Sequence, residues 1–295
     1  MYPSFLCIGA QKAGTTWLHA NLETHPGVWL PPVKEIHYFG AASPWPVLLR
    51  ALNPAEGNHR WRQMIGYRLR ELARTGRIEH FGFYARYLGL PRSTEWFGGL
   101  FRPEPGQVAG EISPEYARLD AATVARIHAA MPDLRVVYLL RSPISRTWSQ
   151  TAMYFSKRGH AGLAETPAAA VREFLDRPST AAHADYATAL ETWERFYPRE
   201  RILVGFFEQL SSDPRGLLRS VCQFLEIDAS DAVLPATVGE KRYARDYESI
   251  PEELAAHLAT KYLPSLERLD ARLGTAETAA WLADARTLVT QSRSR

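Results

Sequence analysis

The chain has 295 residues, 46% of them hydrophobic and 23% charged, with 35 Lys+Arg against 32 Asp+Glu and a formal net charge of +3. That balance excludes a polyanion binder working through bulk charge, so nucleic acid is not an expected partner and any anion is recognised locally. A chain this long buries a self-sufficient core, and α/β enzymes of this size commonly form one domain. The two cysteines, Cys7 and Cys222, lie in apolar runs, which predicts two buried thiols rather than a disulfide. The start, Met1-Tyr2-Pro3-Ser4, leads into an apolar run that ends at once on Gly9 and Lys12, unlike an export signal. No stretch approaches the ~18 apolar residues of a membrane span. The expectation is a soluble, cytoplasmic protein without a membrane partner.

In chain order, Phe5-Leu6-Cys7-Ile8 reads as a strand and Thr15 to Leu22 as a helix. The segment 41–105, rich in Pro, Gly, Trp and Arg, reads as an insertion covering the sheet, with a helix at 58–75. Residues 107–112 form a weaker strand candidate and 116–130 a helix. Arg135 to Leu140 is β-rich and almost continuously apolar, as a strand buried on both faces requires. The helix predicted over 143–158 opens with Ser142 at the N-cap and Pro143 at the first position, and stops at Gly159. A helix follows at 185–197, a strand at 202–207, then helices at 214–226 and 251–273. Gln291 to Arg295 reads as a frayed end. Strand–helix alternation of this kind predicts an α/β fold with a central parallel sheet and helices on both faces.

Ile8 to Leu18 carries the strongest chemical signal. A strand runs into a turn bearing Gly9 and Gly14, and a helix begins at Thr15-Thr16. Backbone N–H groups in such a turn, together with a helix N-terminus, form an anion cradle. The glycines have the spacing of the nucleotide-triphosphate loop, G-x-x-x-x-G-K-[ST], but the lysine is Lys12, inside the turn, and Thr15 stands where that loop's lysine would be.

Lys12-Ala13-Gly14-Thr15-Thr16-Trp17-Leu18 resembles the 5′-phosphosulfate-binding loop of sulfotransferases that use 3′-phosphoadenosine 5′-phosphosulfate as donor. The resemblance implies that Gln11, Lys12, Ala13, Gly14, Thr15 and Thr16 hold the donor's 5′ end. Trp17 stands where cytosolic small-molecule members stack a tryptophan on adenine. A second segment, Tyr138 to Ser149, resembles the family's 3′-phosphate motif, strand–Arg–x–Pro–x–x–Arg–x–x–Ser. It assigns Arg141, with its planar fork of donors, and the Ser149 hydroxyl to that phosphate. Glu240-Lys241-Arg242 falls where family members have a basic loop closing over the 3′-phosphate, which adds Lys241 and Arg242.

Two further segments resemble the bacterial, heparan-sulfate-like branch. Lys34-Glu35-Ile36-His37-Tyr38-Phe39 matches its K-E-x-x-[FY]-F segment, where the glutamate is taken as the general base. That makes Glu35 the base candidate, with His37 the alternative because its ordinary pKa lies nearer neutrality. Gly110-Glu111-Ile112-Ser113-Pro114-Glu115-Tyr116 is similar to the branch's G-E-K-[ST]-P-x-Y strand end. Glu111 is kept, to act in catalysis or to orient Lys12 or the acceptor, whereas Ile112 replaces a lysine that lies near the sulfuryl group. The run Phe206 to Pro214 matches a strand–E–x–L–x–x–D–P element expected to be structural.

Together these imply a P-loop-like three-layer sandwich, a single sulfotransferase domain over 1–295, and in-line sulfuryl transfer to a hydroxyl without a metal. The altered Ile112 favours a small hydroxylated metabolite as acceptor, with a carbohydrate as the alternative. Arg86, Tyr84 and Tyr154 are candidates to touch it. A magnesium-dependent kinase-like phosphotransferase would leave Arg141 and Ser149 unexplained. An idle nucleotide-binding module would leave Lys12, Glu35 and His37 unexplained.

Overall fold

The computed structural model describes residues 1–40, 45–52, 66, 70, 80–160, 162–240 and 249–293. Five parallel strands, β1 (Phe5–Gly9), β2 (Val28–Trp29), β3 (Val108–Ile112), β4 (Arg135–Leu140) and β5 (Ile202–Phe206), form one sheet in the order β2-β3-β1-β4-β5. β1 lies at the centre and is buried along its whole length, and β4 is buried from Val136 to Leu140, which is why both read as unbroken apolar runs. β1 and β3 pair closely because position 110 is glycine. A Cβ there would come within 2.0 Å of the Phe5 ring.

Helices surround the sheet, giving the α/β sandwich that the strand–helix alternation predicts. The helix Thr15–Leu22 has the predicted bounds. The predicted helix at 116–130 is divided. A 3-10 turn, Pro114–Arg118, is followed by the helix Ala121–Ala130, which starts where the Asp120 carboxylate accepts the Thr123 N–H at 2.7 Å. Ser142 provides no side-chain cap to Pro143–Ser156; the proline alone presets that start.

Several elements lie outside the sequence expectation. They include the two-residue β2, the helices Phe81–Gly89, Thr94–Gly99 and Ala168–Asp176, and a final helix, Ala276–Arg293, which takes in Gln291 to Arg293 of the predicted frayed end. Trp281 of that helix donates its indole N–H to Glu208 Oε1 at 3.0 Å, tying the C-terminal segment to the end of β5. Most of the predicted helix at 58–75 lies outside the described residues. Cys7 and Cys222 are free and buried, and burial pushes their thiols up to about 12 and about 11. Among the described residues no helix is long and apolar enough to cross a membrane.

Candidate active site

The carboxyl ends of the parallel strands carry the candidate residues. In open α/β sheets that edge is where ligands sit. Gly9 to Gly14 follow β1, Lys34 to Phe39 lie on the chain leaving β2, Ser113 follows β3 and Arg141 follows β4.

The loop after β1 is shaped for an anion. Gly14 takes φ 95° and its absent side chain makes room for Leu210, which a Cβ would meet at 2.7 Å. It stands at the N-cap of Thr15–Leu22 without any side-chain cap, and the first turn has no acidic residue. The first-turn N–H groups are therefore left for a ligand. Lys12 lies inside this turn with φ 71°. Its carbonyl accepts a hydrogen bond from Arg141 Nη1 at 3.2 Å, so the phosphosulfate-loop candidate and the 3′-phosphate candidate are physically joined. The Arg141 guanidinium also lies 4.2 Å from the centre of the Phe207 ring, which fixes its plane.

Among the described residues, the buried Ser149 Oγ and Gln11 Oε1 are polar atoms without a hydrogen-bond partner. A buried hydroxyl left without a partner is costly unless a ligand completes it. Trp17 is 5% exposed and donates its indole N–H to the Val238 carbonyl at 2.9 Å. It thereby anchors the 3-10 turn Ala236–Gly239, which leads into the segment holding Lys241 and Arg242; both of these lie outside the described residues.

The second half of the site is the Lys34–Phe39 loop. Glu35 and His37 take φ 61° and 52°, a left-handed conformation that costs ordinary residues about 1 kcal/mol. Such a loop persists only if its surroundings hold it, and Glu111 is the main holder. This fully buried carboxylate accepts the Ile36 N–H at 2.9 Å and the Ser113 hydroxyl at 2.6 Å on Oε1, and the Tyr116 hydroxyl at 2.9 Å on Oε2. The Tyr116 oxygen in turn accepts the Tyr38 N–H at 2.9 Å. From the other side, buried Arg92 donates to the Ile36 and His37 carbonyls at 3.3 and 2.8 Å. Burial raises the Glu111 pKa, with its hydroxyl and amide donors opposing. Its Ile36 contact is to the Glu35 loop, whereas Ser113 and Tyr116 belong to the segment that follows β3.

That arrangement predicts a contrast. Glu111→Leu strands three buried donors and should cost ~2–4 kcal/mol in chemical denaturation, whereas Glu111→Gln keeps an acceptor oxygen in place and should cost less than ~1.5 kcal/mol. Equal losses would show that the hydrogen bonds are not what Glu111 contributes.

Within the held loop the reactive candidates come together. Glu35 Oε2 lies 3.2 Å from His37 Nε2, and Glu35 Oε1 lies 3.8 Å from Lys34 Nζ; all three side chains are about a quarter exposed or less. Lys34 Nζ also donates to Thr16 Oγ1 at 2.7 Å, which bridges this loop to the anion cradle. Stacked on its far side are Tyr38 and Phe97, with ring centres 4.8 Å apart. Of the acceptor candidates, Tyr154 has its hydroxyl taken by Arg177 Nη1 at 2.8 Å and its ring covered by Arg158. Arg86 is exposed, and its carbonyl accepts the Trp96 indole N–H.

Lys34, Arg92, Ser113 and Tyr116 carry no assigned role in the sequence reading. Ser113 and Tyr116 sit within the strand-end segment that points to Glu111. Arg92 gives no sequence signal, because its partners lie more than fifty residues away in the chain.

A glycine-bearing turn after the central strand, a guanidinium hydrogen-bonded to it, and a carboxylate–imidazole pair on the loop that Lys34 ties to Thr16 thus lie together at the carboxyl edge of the sheet. Residues 3–231 match the family model described as "Sulfotransferase family", and the chain belongs to that family. It is 34% identical over 139 residues to heparan sulfate glucosamine 3-O-sulfotransferase 6 of Mus musculus, covering 45% of this chain and 40% of that protein. It is 24% identical to the bifunctional heparan sulfate N-deacetylase/N-sulfotransferase of Drosophila melanogaster over 96% of this chain and 27% of that protein. The chain thus spans less than half the length of these curated relatives. Among solved structures it is similar to a sulfotransferase from Alicyclobacillus acidocaldarius, with TM-score 0.67, 23% identity, and coverage of 95% of this chain and 99% of the other. That likeness supports the fold.

Proposed function

We propose that this chain transfers a sulfuryl group from 3′-phosphoadenosine 5′-phosphosulfate to a hydroxyl of a carbohydrate-class acceptor. The observation that carries the reading is the link from Lys12, inside the uncapped loop, to Arg141 at the end of β4, because a donor phosphorylated at both ends needs two anion sites in fixed register. The residues fit that donor. The loop N–H groups with Thr15 and Thr16 suit the 5′ end, and Arg141 with the orphaned Ser149 hydroxyl suits the 3′-phosphate. Trp17, Gln11, Ala13, Lys241 and Arg242 complete the proposed donor contacts.

When bound, the donor supplies an activated sulfuryl group: its sulfur–oxygen bond to the 5′-phosphate breaks as a bond to the acceptor oxygen forms. The protein's part is electrostatic and positional. Lys12 places an ammonium where negative charge grows on the oxygen left behind. Glu35 takes the proton of the acceptor hydroxyl, and His37, 3.2 Å away, orients that carboxylate or shares the proton. Glu111 and Arg92 keep the loop in its left-handed form. Lysine and backbone dipoles here do the work that magnesium does in kinase loops, so the reaction is proposed to need no metal.

A small hydroxylated metabolite is the acceptor that Ile112 suggests, but the heparan sulfate relatives support a sugar acceptor instead, and the 3-O-sulfotransferase among them a sugar hydroxyl. Ile112 is 2% exposed and cannot itself contact a polyanion, so the reading favours a sugar of low charge.

The test is ligand-dependent stability. 3′-Phosphoadenosine 5′-phosphate at a hundredfold excess over its dissociation constant should stabilise the fold by ~2.7 kcal/mol and raise Tm far more than AMP or ATP with magnesium. Equal shifts from ATP with magnesium would overturn the assignment in favour of a phosphotransferase.

A further inference from the structure

The contacts of Lys34 extend the donor site. Its Nζ lies 2.7 Å from Thr16 Oγ1 on the anion loop and 3.8 Å from Glu35 Oε1, the proposed base. Sulfuryl transfer has to run from the first of these groups towards the second, since the loop holds the donor and the carboxylate holds the acceptor's proton. Lys34 is the side chain that joins them. β3 ends on the buried, apolar Ile112, and Lys34 reaches Thr16 from the loop that follows β2.

Burial pushes the Lys34 ammonium below its ordinary pKa, with Glu35 and, more weakly, Cys7 of β1 opposing. A partly desolvated ammonium is poorly screened and gains most from an incoming anion. The Thr16 hydroxyl and the Glu35 carboxylate hold it at the mouth of the loop, and His19 of the neighbouring helix lies close enough to feel both Lys34 and Glu35.

We infer that Lys34 is a second donor-contacting cation, whose ammonium engages the sulfonate oxygens of bound 3′-phosphoadenosine 5′-phosphosulfate between Thr16 and Glu35. This rests on the sulfotransferase reading above and adds a residue to it. The sulfonate distinguishes the donor from its product, 3′-phosphoadenosine 5′-phosphate, so Lys34 discriminates between them, whereas a residue that merely braces the loop does not.

Equilibrium binding of the two nucleotides to wild type, Lys34→Met and Lys34→Arg tests this. Met keeps the aliphatic stem and removes the charge. The expected result for Lys34→Met is a ~10–100-fold loss of affinity for the phosphosulfate with less than a ~3-fold change for the product, in keeping with the loss of a charge-assisted contact. Lys34→Arg should bind both within ~3-fold of wild type. Lys34→Gln, read the same way, replaces Lys34→Met if the latter fails to fold by circular dichroism. Equal losses for the two nucleotides would overturn the inference and make Lys34 a loop brace, and unchanged binding of both would also overturn it. If wild type binds neither nucleotide, the sulfotransferase reading itself fails. That result is distinct from wild-type binding that the Lys34 variants leave undiscriminated.

Discussion

Glu35→Gln is expected to lose ~10²–10⁴-fold in turnover at neutral pH, the range typical for removal of a general base, while affinity for 3′-phosphoadenosine 5′-phosphate stays within a few-fold. Glutamine keeps the size and hydrogen-bonding reach of the side chain but cannot take a proton. The assay is transfer of labelled sulfate from donor to a panel of sugars, alcohols and phenols. His37→Asn should be milder, since the imidazole stands behind the carboxylate as a partner 3.2 Å away. Because the two groups lie 3.2 Å apart, the double variant should fall short of the product of the single effects. Near-normal turnover in Glu35→Gln beside an inactive His37→Asn would make the imidazole the base and leave Glu35 as the anchor of Lys34. Donor binding is the control, because the proposed donor contacts are made by Arg141 and the loop N–H groups rather than by these two side chains.

What the sequence makes legible here is what local pattern can encode. β1 and β4 are readable because strands buried on both faces must be continuously apolar, and the helix Thr15–Leu22 is bounded by Gly14, whose φ of 95° suits glycine. β2 is not readable. Two residues, Val28 and Trp29, make a strand only because β3 supplies the pairing partner. The final helix does carry a sequence signal, Thr275, whose hydroxyl accepts the Thr278 N–H at 3.3 Å as an N-cap, but its place depends on Trp281 reaching Glu208.

The same division holds in the site. Lys12, Glu35 and Glu111 stand in contiguous motifs, so the resemblance to sulfotransferase segments can point to them. The contacts that hold them are long-range: the Ile36 amide and Glu111, or Arg92 and the His37 carbonyl, are far apart in the chain and close only after the sheet forms. The bridge from Lys34 to Thr16 is of this kind too, which is why in sequence Lys34 looks like no more than an ion-pair neighbour of Glu35.

Lys12→Ala should cut turnover at least ~100-fold, equivalent to about 2.7 kcal/mol of transition-state stabilisation, with a smaller effect on product-nucleotide affinity. The asymmetry follows from where the charge is needed. In the bound donor the bridging oxygen carries little charge, and it becomes negative only as the bond to sulfur breaks, so an ammonium at that oxygen stabilises the transition state more than the ground state. In the proposed site the loop N–H groups and Arg141 are the nucleotide's contacts, and they remain without it. The Lys12 side chain is also dispensable for the bridge to Arg141, which uses the Lys12 carbonyl at 3.2 Å and survives truncation of the side chain. The backbone raises one complication: Lys12 takes φ 71°, and alanine tolerates the left-handed region no better. Lys12→Gly, which adopts that conformation freely, is therefore measured beside it. Equal loss of turnover in both variants, with Tm unchanged in the glycine variant, assigns the effect to the ammonium group. Recovery of turnover to within threefold of wild type in Lys12→Gly would show that loop geometry, not charge, is what this position contributes.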